Sequence, residues 1–310
     1  MDGGNSTGVA AVGRGTSFLD LPEGCIFHIL SFTSPIDVCK FSMVSPSFRS
    51  LASSDDLWER FLPSDYRSIL QSSAEPPSFY TKKGLFRTLC TRPIVFDDCR
   101  KSICLDRKSG NKCYMLAARD LSIESSGSPH HWAWIKHNGS RFPEVAELKS
   151  VPALVIRGEI TASMLSPATT YVACLVYELK SNVSGCLLVD ISVSIARTAI
   201  LAPTICLKPN VGSHNHHENG SEMLGVRRPK SRRSDGWLEV ELYSHEGSKN
   251  CGSEAISIQV KGGQTQGGII IQGIEIRPMN SEIVEPAKPN DVPEGSMVND
   301  RKSLLKMKGG

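Results

Sequence analysis

The chain has 310 residues, 40% of them hydrophobic and 22% charged, with a formal net charge of +3. That length favours two modest domains with tails over one compact unit. The charge is too small to point to nucleic acid or an anionic membrane by itself. No apolar run is long enough to span a bilayer, since even VACLVYEL is interrupted by Glu178. A soluble protein is expected. The ten cysteines contain no CxxC pair, and the spacings Cys99 to Cys104 and Cys104 to Cys113 do not repeat as a zinc or redox framework would. Free, reduced thiols follow, and with them a cytosolic or nuclear compartment.

The first stretch, MDGGNSTGVAAVGRGTS, lacks the basic start and apolar core of a signal peptide, and Asp2 excludes myristoylation. Residues 1–16 read as a disordered N-terminus. GNSTG at Gly4 to Gly8 matches the esterase pattern G-x-S-x-G, but that motif needs a strand before it and a helix after it. A hydrolase reading rests on Ser6 alone. The N-x-S/T matches at Asn5, Asn138, Asn182 and Asn219 need a secretory route to be used.

From Ser17 to Leu62 the punctuation is helical. Ser34-Pro35 and Ser45-Pro46 each place a hydroxyl cap ahead of a proline at the first helical position. Ser53 with Asp56 three residues on approximates a capping box. Three or four short helices are predicted. Their apolar positions, among them Ile26, Ile29, Leu30, Val38, Phe41, Phe48, Leu51, Leu57 and Trp58, follow helical spacing. So small a bundle buries only a thin core, and its apolar surplus near the N-terminal edge predicts a partner over one face.

Leu21-Pro22, Ser34-Pro35 followed by Asp37-Val38, Val44-Ser45, Phe48-Arg49 and Leu57-Trp58 fall in the order and spacing of an F-box, and residues 17–62 resemble one along their whole length. The resemblance implies a substrate receptor of an SCF ubiquitin ligase, docked on a Skp-type adaptor and through it on a cullin. By that resemblance the docking residues include Leu21, Pro22, Ile26, Ile29, Leu30 and Pro35.

Residues 63–89, with their Pro76-Pro77 pair, serines and lysines, read as a linker with at most one helical turn. Beyond about residue 90 the period becomes two. Ile191, Val193 and Ile195 alternate with Ser192 and Ser194, and Leu238, Val240 and Leu242 with Glu239 and Glu241, as half-buried strands do. Tyr171 to Leu179 is apolar on both faces, the mark of an interior strand, and Ile256, Ile258, Val260, Ile270, Ile274 and Ile276 continue the series. The fold class is therefore α+β and multidomain, a small helical module followed by an antiparallel β-sandwich.

Within the strands, residues 209–236 read as a disordered insertion that takes no part in the core, and residues 279–310 as a disordered C-terminal tail. The insertion holds His214, His216 and His217, which lack a carboxylate or thiol to complete a metal site, and RRPKSRR at 227–233. That basic run suits nuclear import better than nucleic-acid reading, since no aromatics are interleaved with it. No metal, cofactor, nucleic acid or membrane partner is expected.

GNKCYMLAARDLSI, HHWAW, SRFPEVAEL, RGEI, LSPATTYVACLVYEL, DGWLEVEL, and KGG followed by IIIQGIEIRP resemble the ordered blocks of the plant phloem-protein-two domain over residues 90–278. That family is similar to the tobacco agglutinin lectins, jelly-roll-like sandwiches that bind N-acetylglucosamine oligomers and N-glycan cores. The resemblance implies a sugar held by a tryptophan at Trp132, by a second tryptophan seven residues earlier, and by late acidic residues, here Glu239 and Glu241. Ser125 stands at the earlier position, and Ala153 and Val155 stand where a tryptophan and a glutamate are usual. Losing one stacking face removes on the order of 1 to 3 kcal/mol of binding.

Trp132 and Trp134, two apart in an extended segment, point to one side, with Trp132 expected at a ligand and Trp134 in the core. No nucleophile, base and acid constellation is present, and a non-catalytic receptor for a glycoprotein or protein target is the favoured function. The alternative is a cytosolic or nuclear carbohydrate-binding lectin acting outside a ligase.

Overall fold

The computed structural model describes residues 21–181, 187–196, 198–201, 204–208, 226–229, 232–246 and 252–281. The expectations for residues 1–16, for the three insertion histidines and for 282–310 lie outside these residues, as do those for Asn5, Asn182 and Asn219.

Helices come first: α1 (Glu23–Ser31), α2 (Pro35–Phe41), α3 (Pro46–Leu51) and α4 (Asp55–Phe61). The serine-proline starts work as the sequence predicts. Ser34 accepts from the Asp37 N–H at 3.2 Å, and its hydroxyl donates to the Asp37 carboxylate at 2.7 Å. Ser45 accepts from the Phe48 N–H at 3.3 Å. The expected box at Ser53 does not form, because that hydroxyl donates back to the Arg49 carbonyl at 2.8 Å; α4 starts after Ser54 without a side-chain cap. Leu30, Val38, Phe48, Leu57 and Trp58 fill the module, and the Trp58 indole N–H donates to the Ala52 carbonyl at 2.8 Å.

Residues 63–89 depart from the predicted linker. They fold into α5 (Tyr66–Gln71) and most of α6 (Lys82–Thr91). Thr81 caps α6 by accepting from the Gly84 N–H at 3.0 Å, and Leu85, Phe86, Leu89 and Cys90 form its buried face. The Phe86 ring lies 5.2 Å from that of Trp58. The apolar spacing of α6 was in the sequence, but two lysines and a glycine in its first turn hid it.

The strands are β1 (Ile94–Phe96), β2 (Lys101–Leu105), β3 (Lys112–Ala117), β4 (Ser122–Ile123), β5 (Trp132–Ile135), β6 (Val145–Leu148), β7 (Ser150–Val151) and β8 (Leu154–Thr161), then β9 (Thr170–Leu179), β10 (Leu188–Ile195), β11 (Thr198–Leu201), β12 (Ile205–Cys206), β13 (Leu238–Glu246), β14 (Ala255–Gly262), β15 (Thr265–Gln266) and β16 (Ile269–Pro278). Every ladder between them is antiparallel. In the larger sheet β16 is central. One edge of β16 pairs with β9 and then β13; the other is shared, β3 taking Gly273–Ile276 and β6 taking Ile270 and Ile271. The second sheet runs β11-β10-β14-β8-β4, with β12 also on β10.

The two sheets bury Ile156, Ile191, Val193, Ile256, Ile258 and Val260 against Tyr171, Ala173, Leu175, Leu238, Val240, Ile274 and Ile276. This is the sandwich the alternation predicts. The same core runs through α6 into the helical module. The hairpin between β2 and β3 reaches that module as well. At its tip Gly110 adopts φ +77°, and a Cβ there would lie 3.4 Å from both Phe86 and Pro35.

The outer face of the larger sheet carries a second core of Met115, Ala117, Val145, Val176 and Ile270, covered by Phe142 and Trp237. Here lies the reason that β9 is apolar on both faces. Beside this core Glu275 is buried, with Arg141 at 2.8 Å, Arg233 at 2.7 Å and Arg277 at 2.9 Å. The end of the 209–236 insertion is therefore structural, contrary to expectation. A carboxylate on a strand buried on both sides requires paired charge, and Arg233 is part of that pairing. The thiol expectation also needs amending, because Cys206 is disulfide-bonded, while the other described cysteines are free.

Burial opposes ionisation of Glu275, but Arg141, Arg233 and Arg277 overcome it and hold its pKa at about 2, against an ordinary 4.5. A depressed carboxylate stabilises the fold above its unfolded pKa and loses that contribution as pH falls through the folded one. Stability should therefore decline between pH 4.5 and about 2. Glu275→Gln, which removes the buried carboxylate that three guanidinium groups share, should cost about 3–5 kcal/mol at pH 7 and flatten that acid limb, as read from urea midpoints across pH. At Gly273 a Cβ would lie 1.9 Å from the Leu116 carbonyl oxygen. Gly273→Ala should cost about 3 kcal/mol or more, whereas Gly24→Ala, in open space on α1, should be neutral or gain about 0.5–1 kcal/mol. Thermal unfolding of the two variants makes the comparison.

Candidate functional site

The first candidate surface is on the helical module. The six predicted docking residues divide: Ile26, Leu30 and Pro35 are buried and hold helices together, while Leu21, Pro22 and Ile29 are exposed. Helical spacing identified the apolar residues but not which of them face out. Four exposed apolar side chains were missed. Phe32 at the end of α1 is 78% exposed, Met43 and Val44 between α2 and α3 are 74% and 63% exposed, and Ile36 on α2 is also open. Phe32, Met43 and Val44 stand at a cap and a connection, where a periodicity argument has nothing to count. Their placement follows from the local fold. The N–H groups of Phe32 and Thr33 close α1 on the Ile29 and Leu30 carbonyls, and Ser34 at once starts α2, so Phe32 is held at a corner. Each large apolar side chain that a partner covered fully would contribute up to about 1.5–3 kcal/mol.

The second candidate is the predicted sugar site, where Trp132, expected at a ligand, is the more deeply buried tryptophan and Trp134 packs against the core from nearer the surface. Trp132 is 2% exposed, and its indole N–H donates to the Glu124 carbonyl at 3.1 Å. Trp134 is only partly buried; its N–H reaches the Ser126 carbonyl at 3.4 Å, and the Arg119 guanidinium covers its ring at 3.7 Å. Arg119 is itself held by Glu144 at 2.6 Å. Both indoles point to the same side of β5, as spacing requires. Which of them lies deeper depends on the 124–131 loop that folds over the strand, and that is a tertiary matter. Ser125, at the lectin tryptophan position, has φ +60° within that loop.

Glu239 is bound to Arg277 at 2.8 Å and Arg233 at 3.3 Å, and Glu241 lies 3.2 Å from Arg227. Glu239 is thus held within an ion-pair network, while Glu241 stays at the surface with its side chain 41% exposed. They do not join Trp132. Trp132 belongs to the core between the sheets, whereas Glu239 and Glu241 alternate with the inward Leu238, Val240 and Leu242 and so face the opposite side of the sheet.

Two clefts open where the modules meet. One, of about 460 Å³, lies between the α5–α6 connection and the 140–143 loop, with Pro77, Ile94, Phe142 and Pro143 in its walls and an Arg92–Glu75 pair at 3.2 Å. The other, of about 580 Å³, lies between the end of α4 and the β2–β3 hairpin tip. No helix among the described residues is long and apolar enough to cross a membrane.

Comparison with known proteins agrees with this division of the chain. The F-box domain model matches residues 18–60, and the phloem protein 2 model matches residues 111–278. The chain is 40% identical over 266 residues to the putative F-box protein PP2-B12 of Arabidopsis thaliana, covering 84% of this chain and 98% of that protein. It is 37% identical over 269 residues to F-box protein PP2-B10 of the same plant, covering 84% and 94%. With F-box protein VBF, also from Arabidopsis thaliana, it shares 36% identity over 278 residues, covering 83% and 98%. A helical F-box joined to a lectin-like sandwich, matched along almost the full length of these relatives, places the chain in the family of F-box proteins that carry a phloem protein 2 domain.

Proposed function

We propose that this chain is a substrate-recognition subunit of an SCF-type ubiquitin ligase, acting in the cytosol or nucleus. Its F-box docks a Skp-type adaptor, and through it a cullin, while its sandwich captures a protein target. The observation that carries this reading is the set of open apolar side chains on the first three helices, led by Phe32, Met43 and Val44. A small bundle leaves such groups in water only at a free-energy cost that a partner surface recovers. The chain contributes no chemistry in this reading. It holds the target near the charged ubiquitin carrier and raises the effective concentration of its lysines. The burial of Trp132 and the ion-paired state of Glu239 favour recognition of protein surface over stacking of a sugar ring.

The docking test uses the full chain and a purified Skp-type adaptor in calorimetry. Phe32→Ser with Met43→Ser should weaken the complex at least tenfold, which is about 1.4 kcal/mol, without moving the unfolding midpoint. Ile26→Ser, in the core, should lower that midpoint. Unchanged affinity in the double variant, or no complex with the folded parent, would sink the docking reading. For the sugar question, Trp132→Ala should destabilise by about 3–5 kcal/mol, and chitotriose should bind neither parent nor variant. A stable Trp132→Ala chain that loses chitotriose binding shown by the parent would restore the lectin reading.

A further inference from the structure

Two of the buried thiols face each other. Cys104 on β2 and Cys113 on β3 are direct partners in the ladder of that hairpin, so their side chains leave the same face of the larger sheet. They are 3% and 5% exposed, and the Cys113 thiol is in hydrogen-bond contact with that of Cys104. We propose that Cys104 and Cys113 are a redox modification site, a dithiol that closes to a disulfide and staples the hairpin beside the helical module. Neither adaptor nor target enters this proposal, which stands apart from the receptor reading.

Geometry is the first argument. The Asp106 N–H donates to the Asn111 carbonyl and the Ala117 N–H to the Arg100 carbonyl, both at 2.8 Å, and these bonds set the phase of the ladder. In that phase Cys104 and Cys113 form a hydrogen-bonded pair, whose Cα atoms stand about 5.5 Å apart. A disulfide needs about 4.4–6.8 Å between Cα atoms, so rotation of the side chains closes the bond without moving either strand. Among the described free cysteines no other two share a rung. Cys174 faces Glu241 and Glu275, and Cys25 and Cys39 are exposed on separate helices. A buried cysteine packs as a small apolar group whatever its neighbour, but one that faces a second thiol has a bond to form.

Chemistry is the second argument. The hydrogen bond to Cys104, with burial, holds the Cys113 thiol well above its ordinary pKa, and burial pushes Cys90, on α6 near Cys104, up to about 12. A thiol kept protonated is a poor nucleophile, so the closed fold protects the pair and oxidation passes through a local opening of the hairpin. With a low-molecular-weight disulfide as oxidant, one cysteine thiolate attacks it and one small thiol leaves; the second cysteine then displaces the other. The protein is oxidised to its disulfide, the small disulfide is reduced to two thiols, and the cysteine protons end on those thiols. The second displacement is fast because the partner sulfur is already in place. The new bond spans the hairpin tip, where Gly110 stands against Phe86 and Pro35, and so couples redox state to the seam between the modules.

The test incubates the full chain with excess oxidised glutathione, alkylates the remaining thiols after unfolding, and maps linkages by mass spectrometry of the digest. The expected product is a Cys104–Cys113 link, two hydrogens lighter than the reduced peptides, reversed by dithiothreitol and formed faster in urea below the unfolding midpoint than in buffer. The midpoint of the linked chain should rise above that of the reduced chain. Cys113→Ser should abolish both the link and the rise, and Cys104→Ala makes the same comparison should the first variant fail to fold. Alkylation of both cysteines when Cys25 and Cys39 have already reacted, glutathione retained on either member of the pair, a Cys90–Cys104 link in its place, or a link that leaves the midpoint unchanged would each overturn the proposal.

Discussion

The structure depends on the burial of β16 from every side. Its Ile274 and Ile276 face the core between the sheets, and Glu275 between them faces a second buried layer. One edge is paired with β9 along its length and the other is divided between β3 and β6. A strand so enclosed has no route for water to a charged group, so a carboxylate on it must be met by protein cations. Three arginines from separate parts of the chain converge on one carboxylate for that reason. Close packing adds a steric demand, met at Gly273, where β16 passes the Leu116 carbonyl too closely for any side chain.

The second constraint joins the two modules. Without α6 the helical bundle would be too small to bury Trp58 well, and β2 would lose part of its cover. With it, Phe86 meets Trp58, Gly110 of the hairpin meets Phe86 and Pro35, and one apolar core runs through both modules. The sandwich is therefore held in a defined position relative to the open apolar face of the first three helices. In the receptor role proposed above, that rigidity would present a captured target at a fixed place. It also creates the clefts at the seam, whose walls come from both modules.

Ionic interactions on the outer face of the larger sheet bear on recognition as well. Glu239, half of the predicted carboxylate pair, is bound to Arg277 and Arg233 within the same network as Glu275. An acid in that position is positioned by structure and costs stability to redirect. Trp134, the more open indole, has its face covered by Arg119. The sandwich retains the lectin-like architecture, while the side chains that a sugar-binding reading relied on are engaged with the protein itself.

Local patterns determined much of this protein. Serine-proline pairs located two helices because capping and a fixed φ act within a few residues. Period-two alternation located β10, β13 and β14, because a pleat alternates its faces whatever lies beyond it. The order of apolar and proline positions in the first 62 residues identified the F-box. Tertiary structure decided the rest. It made α6 a joint instead of a linker, set Ile26 inside and Phe32 outside, buried Trp132 beneath a loop while Trp134 stayed nearer the surface, and drew Arg233 from an apparently unstructured insertion to a buried carboxylate 42 residues away. These outcomes turn on depth and on charge partners distant in sequence, and no local pattern encodes either one: periodicity tells which side a residue faces, and only the packed fold fixes what it meets there.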